Sequence, residues 1–209
     1  MLHHFLRASR LAPRWVANAN TQNPGVGSAI TVAKPTGTAD GDIMFAWMTV
    51  GNNSSQTWTG DTGWTELIDS TGGKGGRLAY KVASSEGASY TFTANSASFI
   101  LSATITTWRG GTYTAVGAGA GGTNPIVAAT VTATMPDSVL LAFYATSRAS
   151  VTITVPPTGM TSLFSDSDAT APSLFGYYEH VTTGATGTRS ATFSDPTGSC
   201  GVLAVMRPT

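Results

Sequence analysis

Glu66 and Asp69 stand three residues apart in a short mixed apolar and polar segment, and Glu179 precedes His180 in a similar segment of the second half of the chain. Two carboxyls about 5 to 10 Å apart are what glycoside hydrolysis needs, one to protonate the leaving oxygen and one to act as nucleophile or base. These acids are therefore the candidates for such chemistry, although spacing alone converges no two of them, and solvated strand faces or turns are the better reading. Asp40-Gly41-Asp42 and Asp166-Ser167-Asp168 each present alternating oxygens to a cation. Neither runs on into a loop closed by a further acid, so turn-forming aspartates are the better reading. His3, His4 and His180 form no zinc pattern. Cys200, the single cysteine, sits in Gly-Ser-Cys-Gly-Val-Leu with no base nearby and reads as a small buried hydrophobe. Gly72-Gly73-Lys74-Gly75-Gly76 lacks the helix and the Lys-Ser/Thr pair of a phosphate loop and reads as a hairpin. No catalytic residue, metal ligand or cofactor is assigned, and a non-enzymatic protein is expected.

Aromatic residues offer a second kind of chemistry, because exposed rings stack on sugars. Trp58 closes a polar loop and Tyr113 lies in an unpatterned stretch, which makes these two the candidate ligand contacts. Trp47, Trp64 and Trp108 fall inside strand patterns and belong to the core.

Behind these residues must stand β-strands. Residues 30–78 recur over 126–174 at a constant offset of 96, with eleven identities among 49 aligned positions. Asp42 to Trp47 falls on Ser138 to Phe143, and Gly63-Trp64-Thr65-Glu66-Leu67 on Gly159-Met160-Thr161-Ser162-Leu163. What repeats is apolar patterning and turn glycines, so the repeat speaks to architecture. Strands are expected at 30–32, 43–50, 64–68, 77–82, 90–93 and 99–108, and again at 126–131, 139–146, 151–155, 160–164, 174–181, 191–193 and 202–206. The segments 43–50 and 139–146 are apolar on both faces, the mark of central strands. No window after residue 20 combines helical periodicity with caps. The expected fold is all-β: a jelly-roll-like antiparallel sandwich of two similar halves, 26–110 and 124–209, within one domain (26–209). An unpatterned crossover at 111–123 joins the halves, and an extended or partly helical arm (1–25) precedes them.

Only 11% of the 209 residues are charged, about half the usual share, so Thr, Ser, Asn and Gly make up the surface. That suits packing against neighbours and excludes the concentrated basic patch of a nucleic-acid binder. No apolar run reaches the length of a membrane span. Four basic residues and no acid precede Asp40, while the remaining seven basic and eleven acidic residues leave the body at −4. A basic leader on an acidic body is a docking arrangement. Leu2, Phe5, Leu6, Arg7, Arg10, Arg14 and Trp15 are the residues expected to make that interface.

The series Pro35…Gly41-Asp42-(apolar run)…Gly63-Trp64…Tyr80-Lys81-Val82-Ala83…Arg109-Gly110 resembles a widespread group of bacteriophage virion proteins, clearly over residues 30–110 and in outline over the second copy. The resemblance implies a jelly-roll-like sandwich serving in capsid decoration or on the tail. On this reading the chain is a virion structural protein, most simply a capsid decoration, cement or minor capsid protein anchored by its arm. Its partners are other virion proteins and further copies of itself, a trimer among the options, with neither nucleic acid nor membrane. The alternative is a tail-associated receptor- or carbohydrate-binding module, for which a host-surface glycan is the partner.

Overall fold

The computed structural model describes residues 11–51, 57–59, 62–69, 76–95 and 99–209. The first part of the chain forms β1 (Arg14–Gly27), β2 (Ala29–Ala33), β3 (Ile43–Val50), β4 (Trp58–Thr59), β5 (Thr65–Asp69), β6 (Arg77–Val82), β7 (Ser89–Ala94) and β8 (Phe99–Arg109). There follow β9 (Gly111–Val116), β10 (Ala120–Gly121), β11 (Ile126–Ala128), β12 (Thr132–Ala133), β13 (Ser138–Thr146), β14 (Ile153–Val155), β15 (Thr161–Asp166), β16 (Ser173–Val181), β17 (Gly184–Ala185), β18 (Arg189–Phe193) and β19 (Cys200–Pro208). Every pairing is antiparallel, and the described residues contain no helix.

Five strands in the order β1-β8-β3-β6-β5 make one large sheet, and β10-β19-β13-β16-β15 make another, with β9 also paired to β19. Each is backed by a small sheet, β2-β7-β4 and β11-β18-β14 respectively, while β12 and β17 pair apart. Alternation along β3 shows how they stack. Met44, Ala46, Met48 and Val50 enter a core shared with Ile30, Val32, Tyr90 and Phe92 of the small sheet. Ile43, Phe45 and Trp47 point the other way and meet Val139, Leu141, Phe143 and Ala145 of β13. Leu140, Ala142 and Tyr144 of β13 then pack on Ile126, Ala191 and Phe193. The result is four layers enclosing three cores, with the two large sheets back to back in the middle. A strand covered on both faces has no solvent side, which is why β3 and β13 are apolar at nearly every position. Trp47 ties the central layers further by donating its indole N–H to the Tyr144 carbonyl at 3.0 Å.

The all-β sandwich class expected from the sequence is what the chain adopts, with three cores in its described residues. Two expectations are corrected. Residues 1–10 lie outside the described residues, and the arm, expected to run to residue 25 and to be extended or partly helical, is from Arg14 onward a strand of the body, β1, paired with β8. Its middle, Ala-Asn-Ala-Asn-Thr-Gln-Asn, carries no apolar signal because an edge strand is only half covered. The crossover at 111–123 contains β9 and β10, both paired to β19. Gly110 alone separates β8 from β9, and its φ of 76° makes the reversal from one large sheet to the other that a side chain would strain.

Candidate functional site

The best-built polar constellation joins the start of β3 to the end of β8. Arg109 donates from Nε to Asp42 Oδ1 at 2.8 Å and from Nη2 to Asp42 Oδ2 at 2.7 Å, and reaches the Gly37 carbonyl at 2.9 Å. The Ala39 N–H adds a bond to Oδ2 at 2.9 Å. Burial alone would raise the Asp42 carboxyl, but the Arg109 and Ala39 hydrogen bonds and the charges of Arg109 and Arg14 outweigh it and hold it below the ordinary range. Asp40 accepts the Ser85 N–H at 2.8 Å. Both acids of the Asp-Gly-Asp motif thus anchor loops. At the equivalent position of the second half Ser138 donates to the Met135 carbonyl at 2.7 Å, and no ion pair repeats there. The bidentate partner Arg109 is not among the functional candidates that the sequence nominates. Its only signal there is the Arg-Gly that closes the strand pattern.

Of the candidate catalytic acids, the fold brings two to one place. Glu66 Oε2 lies 3.0 Å from Arg77 Nε, close enough for an ion pair but out of line for a hydrogen bond, and Asp69 pairs in register with Arg77. Burial and the Glu66 charge push the Asp69 carboxyl up, against the opposing pull of Arg77. Arg77 is itself buried with Nη1 unpartnered, a feature invisible in the sequence because nothing marks a strand arginine as inward-facing. Glu179 stays apart from this group, held by Arg189 of β18 in the small sheet, whose Nε donates to Oε1 at 2.7 Å. His180 is exposed beside the Tyr178 ring. Glu66 and Asp69 thus gather at Arg77 while Glu179 is held by Arg189, and the paired-acid geometry raised by the sequence is not assembled by Glu66 and Glu179.

Asp168 accepts both the N–H and the hydroxyl of Thr170, each at 2.7 Å, as a turn residue does. Asp166 faces the seam between the large sheets. Burial raises its carboxyl and the Asp168 charge adds to this, while a bond from Asn20 of β1 opposes them. Along the same seam Asn18 Oδ1, Thr104 Oγ1, Thr106 Oγ1 and Asp166 Oδ2 are buried without partners. Among the described residues no cluster of three or more His, Cys, Asp or Glu side chains is placed to hold a metal.

Burial corrects one of the two aromatic candidates. Trp58 is 3% exposed and belongs to the first core, so it cannot stack on a ligand. Tyr113 lies half-buried on β9, 4.6 Å from the Tyr80 ring and 6.2 Å from that of Phe45, where it helps close the central core. Trp47 and Trp108 are core, as expected, and Trp64 packs against the first core. Cys200 is buried in the central core. Of the interface candidates, Leu2, Phe5, Leu6, Arg7 and Arg10 lie outside the described residues. So does most of the 72–76 glycine run, Lys74 included. Arg14 and Trp15 open β1 and are exposed, Trp15 by 46%, next to Leu11 at 81%.

A cavity of about 320 Å³ opens where the end of β1 and the start of β8 meet the 147–149 and 170–172 loops of the second half. Phe99, Ile100, Ala171 and Pro172 give it an apolar floor and Arg148 a cationic wall. The Arg148 charge also helps depress Asp195, behind the larger effect of hydrogen bonds from Thr197, so the cation does not stand alone. No family model, curated protein or solved structure matches the chain.

Proposed function

We propose that the chain is a non-enzymatic structural protein of a bacteriophage particle, in capsid decoration or a minor capsid role, that grips its neighbours with its N-terminal end. The observation that carries this reading is the approach to β1: Leu11 and Trp15 are exposed beside Arg14, on the outer strand of a large sheet. Large apolar side chains left in solvent at a basic, low-charge end are suited to burial against another protein. The virion as location, and other virion proteins as partners, follow from the resemblance of the Gly-Asp, Gly-Trp and Arg-Gly series.

Strand order supports the finer architecture. The paths β1-β8-β3-β6 and β2-β7-β4 follow the order of a jelly roll, in which two Greek keys wind a strand ribbon into two facing sheets. The strands β9/β10, β19, β13 and β16 with β11, β18 and β14 take the same places in the second half. One jelly-roll module written twice, with its large sheets back to back, accounts for both the 96-residue repeat and the four layers.

The test is removal of residues 1–11, which stops short of β1 and so spares the sheet. The truncated chain should fold with an unchanged melting transition and fail to join its particle. Incorporation at the undiminished level refutes the anchor. Mass spectrometry of purified particles then places the protein: hundreds of copies mean shell and a handful mean tail.

The cavity beside Arg148 favours a second reading, the receptor- or carbohydrate-binding module, now resting on different residues. Glycan binding that survives in the truncated chain and disappears in Arg148→Ala supports it.

A further inference from the structure

We infer that β1 is a pairing edge for a second copy of this chain, the two strands running antiparallel about a two-fold axis near Asn20. Edge strands carry a row of unpaired backbone donors and acceptors, and soluble proteins guard them with charge, bulges or brevity. The edges at β5 and β15 are guarded: β5 carries Glu66 and Asp69 and shifts register between Glu66 and Ile68, while β15 carries Asp166 and shifts between Ser162 and Phe164. β1 spans 14 residues with no charge after Arg14, and its guards, Pro24 and two register shifts, lie toward its ends and leave the middle bare. Its pairing with β8 is regular from Ala17 to Asn23 and shifts only outside that run.

Self-complementarity singles out a second copy as the partner. The regular run is centred on Asn20, so a two-fold axis there lays the run on itself. Ala17 then faces Asn23, Asn18 faces Gln22 and Ala19 faces Thr21, with no like charges opposed. Amide side chains both donate and accept, so Asn18, whose Oδ1 has no partner within the chain, can bond to Gln22 of the other copy. The same axis brings the strand's exposed apolar ends together crosswise, with Trp15 of one copy toward the end of the other that carries Val26, 73% exposed in the single chain.

The size of the contact sets its strength. At about 3.4 Å per residue the regular run is roughly 24 Å long and the whole strand roughly 45 Å, so a sheet edge about 10 Å thick buries on the order of 500 to 900 Å² over both copies. That lies in the range of weak, transient interfaces, so association no tighter than micromolar and dependent on concentration is expected. The inference rests on the edge alone and needs no phage particle.

Sedimentation of the full chain between about 1 and 100 μM is the test, since that range brackets a micromolar Kd. The chain should pass from monomer to dimer. Ala17→Lys with Asn23→Lys sets like charges face to face at both ends of the run and should weaken the dimer at least tenfold. Ala17→Lys with Asn23→Glu makes the same contacts complementary and should restore it, both variants melting near the parent temperature. A monomer throughout the range overturns the proposal. So does a Lys/Lys variant that dimerises like the parent, and loss of the dimer in both double variants overturns the register.

Discussion

β1 and β9 occupy the same place in their two large sheets, each beside the strand that ends its half, and they use it in opposite ways. β9 is short, and its neighbour β10 is cut off from it at Gly117, whose N–H bonds to the Leu203 carbonyl at 2.8 Å. From β9, Tyr113 reaches into the central core. β1 runs for 14 residues, turns polar amides to the seam and leaves Trp15 and Val26 in solvent. One topological slot thus serves as an inward brace in one half and an outward edge in the other. The difference shows that the same place in two sheets does not fix the use made of it, because the last strand added to a sheet has one free side whose use the remaining contacts decide.

Removing the brace should have the largest effect. Tyr113→Ala deletes a ring packed on Tyr80 and Phe45 and should cost about 2 to 3 kcal/mol in denaturant unfolding. A cost below about 0.5 kcal/mol would make β9 as dispensable as an exposed edge and erase the contrast. Gly117→Val sharpens the same point. A Cβ there would sit 2.6 Å from the Ala129 carbonyl oxygen and 3.1 Å from Val131, so a loss of about 1 to 3 kcal/mol is expected.

Acid separates the two equivalent positions at the start of β3 and β13. Asp42 holds its proton less tightly folded than unfolded, so its contribution is complete above the ordinary aspartate range and disappears as pH falls through its lowered folded value. Ser138 carries no such dependence at its own place. Asp42→Asn should therefore destabilise the protein at neutral pH and flatten the decline of its melting temperature at the acid end. An undiminished decline assigns acid sensitivity elsewhere. Asp166 has the opposite sign: its raised carboxyl favours the folded state at low pH, and that benefit is lost as pH rises through the raised value. Asp166→Asn should raise the melting temperature at neutral pH by a few degrees, of the size that about 1 kcal/mol produces in a chain this long. No rise would mean that the seam already compensates the charge.

The smallest effect on stability belongs to the outward edge. Trp15→Ala should change unfolding by less than about 0.5 kcal/mol, as surface substitutions do, while weakening self-association. A core-sized loss would place Trp15 with Tyr113 and dissolve the comparison.

The strands richest in apolar residues are legible in the amino-acid sequence: 43–50, 77–82 and 99–108 correspond closely to β3, β6 and β8. Gly63 and Gly159 are readable as turns and adopt φ of 88° and 81°. β1 and β9 are not readable, since strands half exposed at an edge are built from Asn, Thr, Gly and Ala, the residues of loops. Trp58 misleads for the related reason that a polar loop leads into it, although its own strand tucks the ring inside. Among the acids, sequence nominates Asp42, Glu66 and Asp69 but does not supply Arg109, which reaches Asp42 from β8, or Arg77, which pairs with Glu66 from β6.

Local patterning thus determined the class of fold, the repeat and the doubly apolar strands, because alternation and β-branched content act within a few residues. Only the tertiary structure decided that the large sheets stack back to back, that Tyr113 is buried and Trp15 exposed, and which cation each acid meets. Those outcomes depend on which faces and edges are covered by segments about a hundred residues away, and no stretch of sequence carries that information by itself.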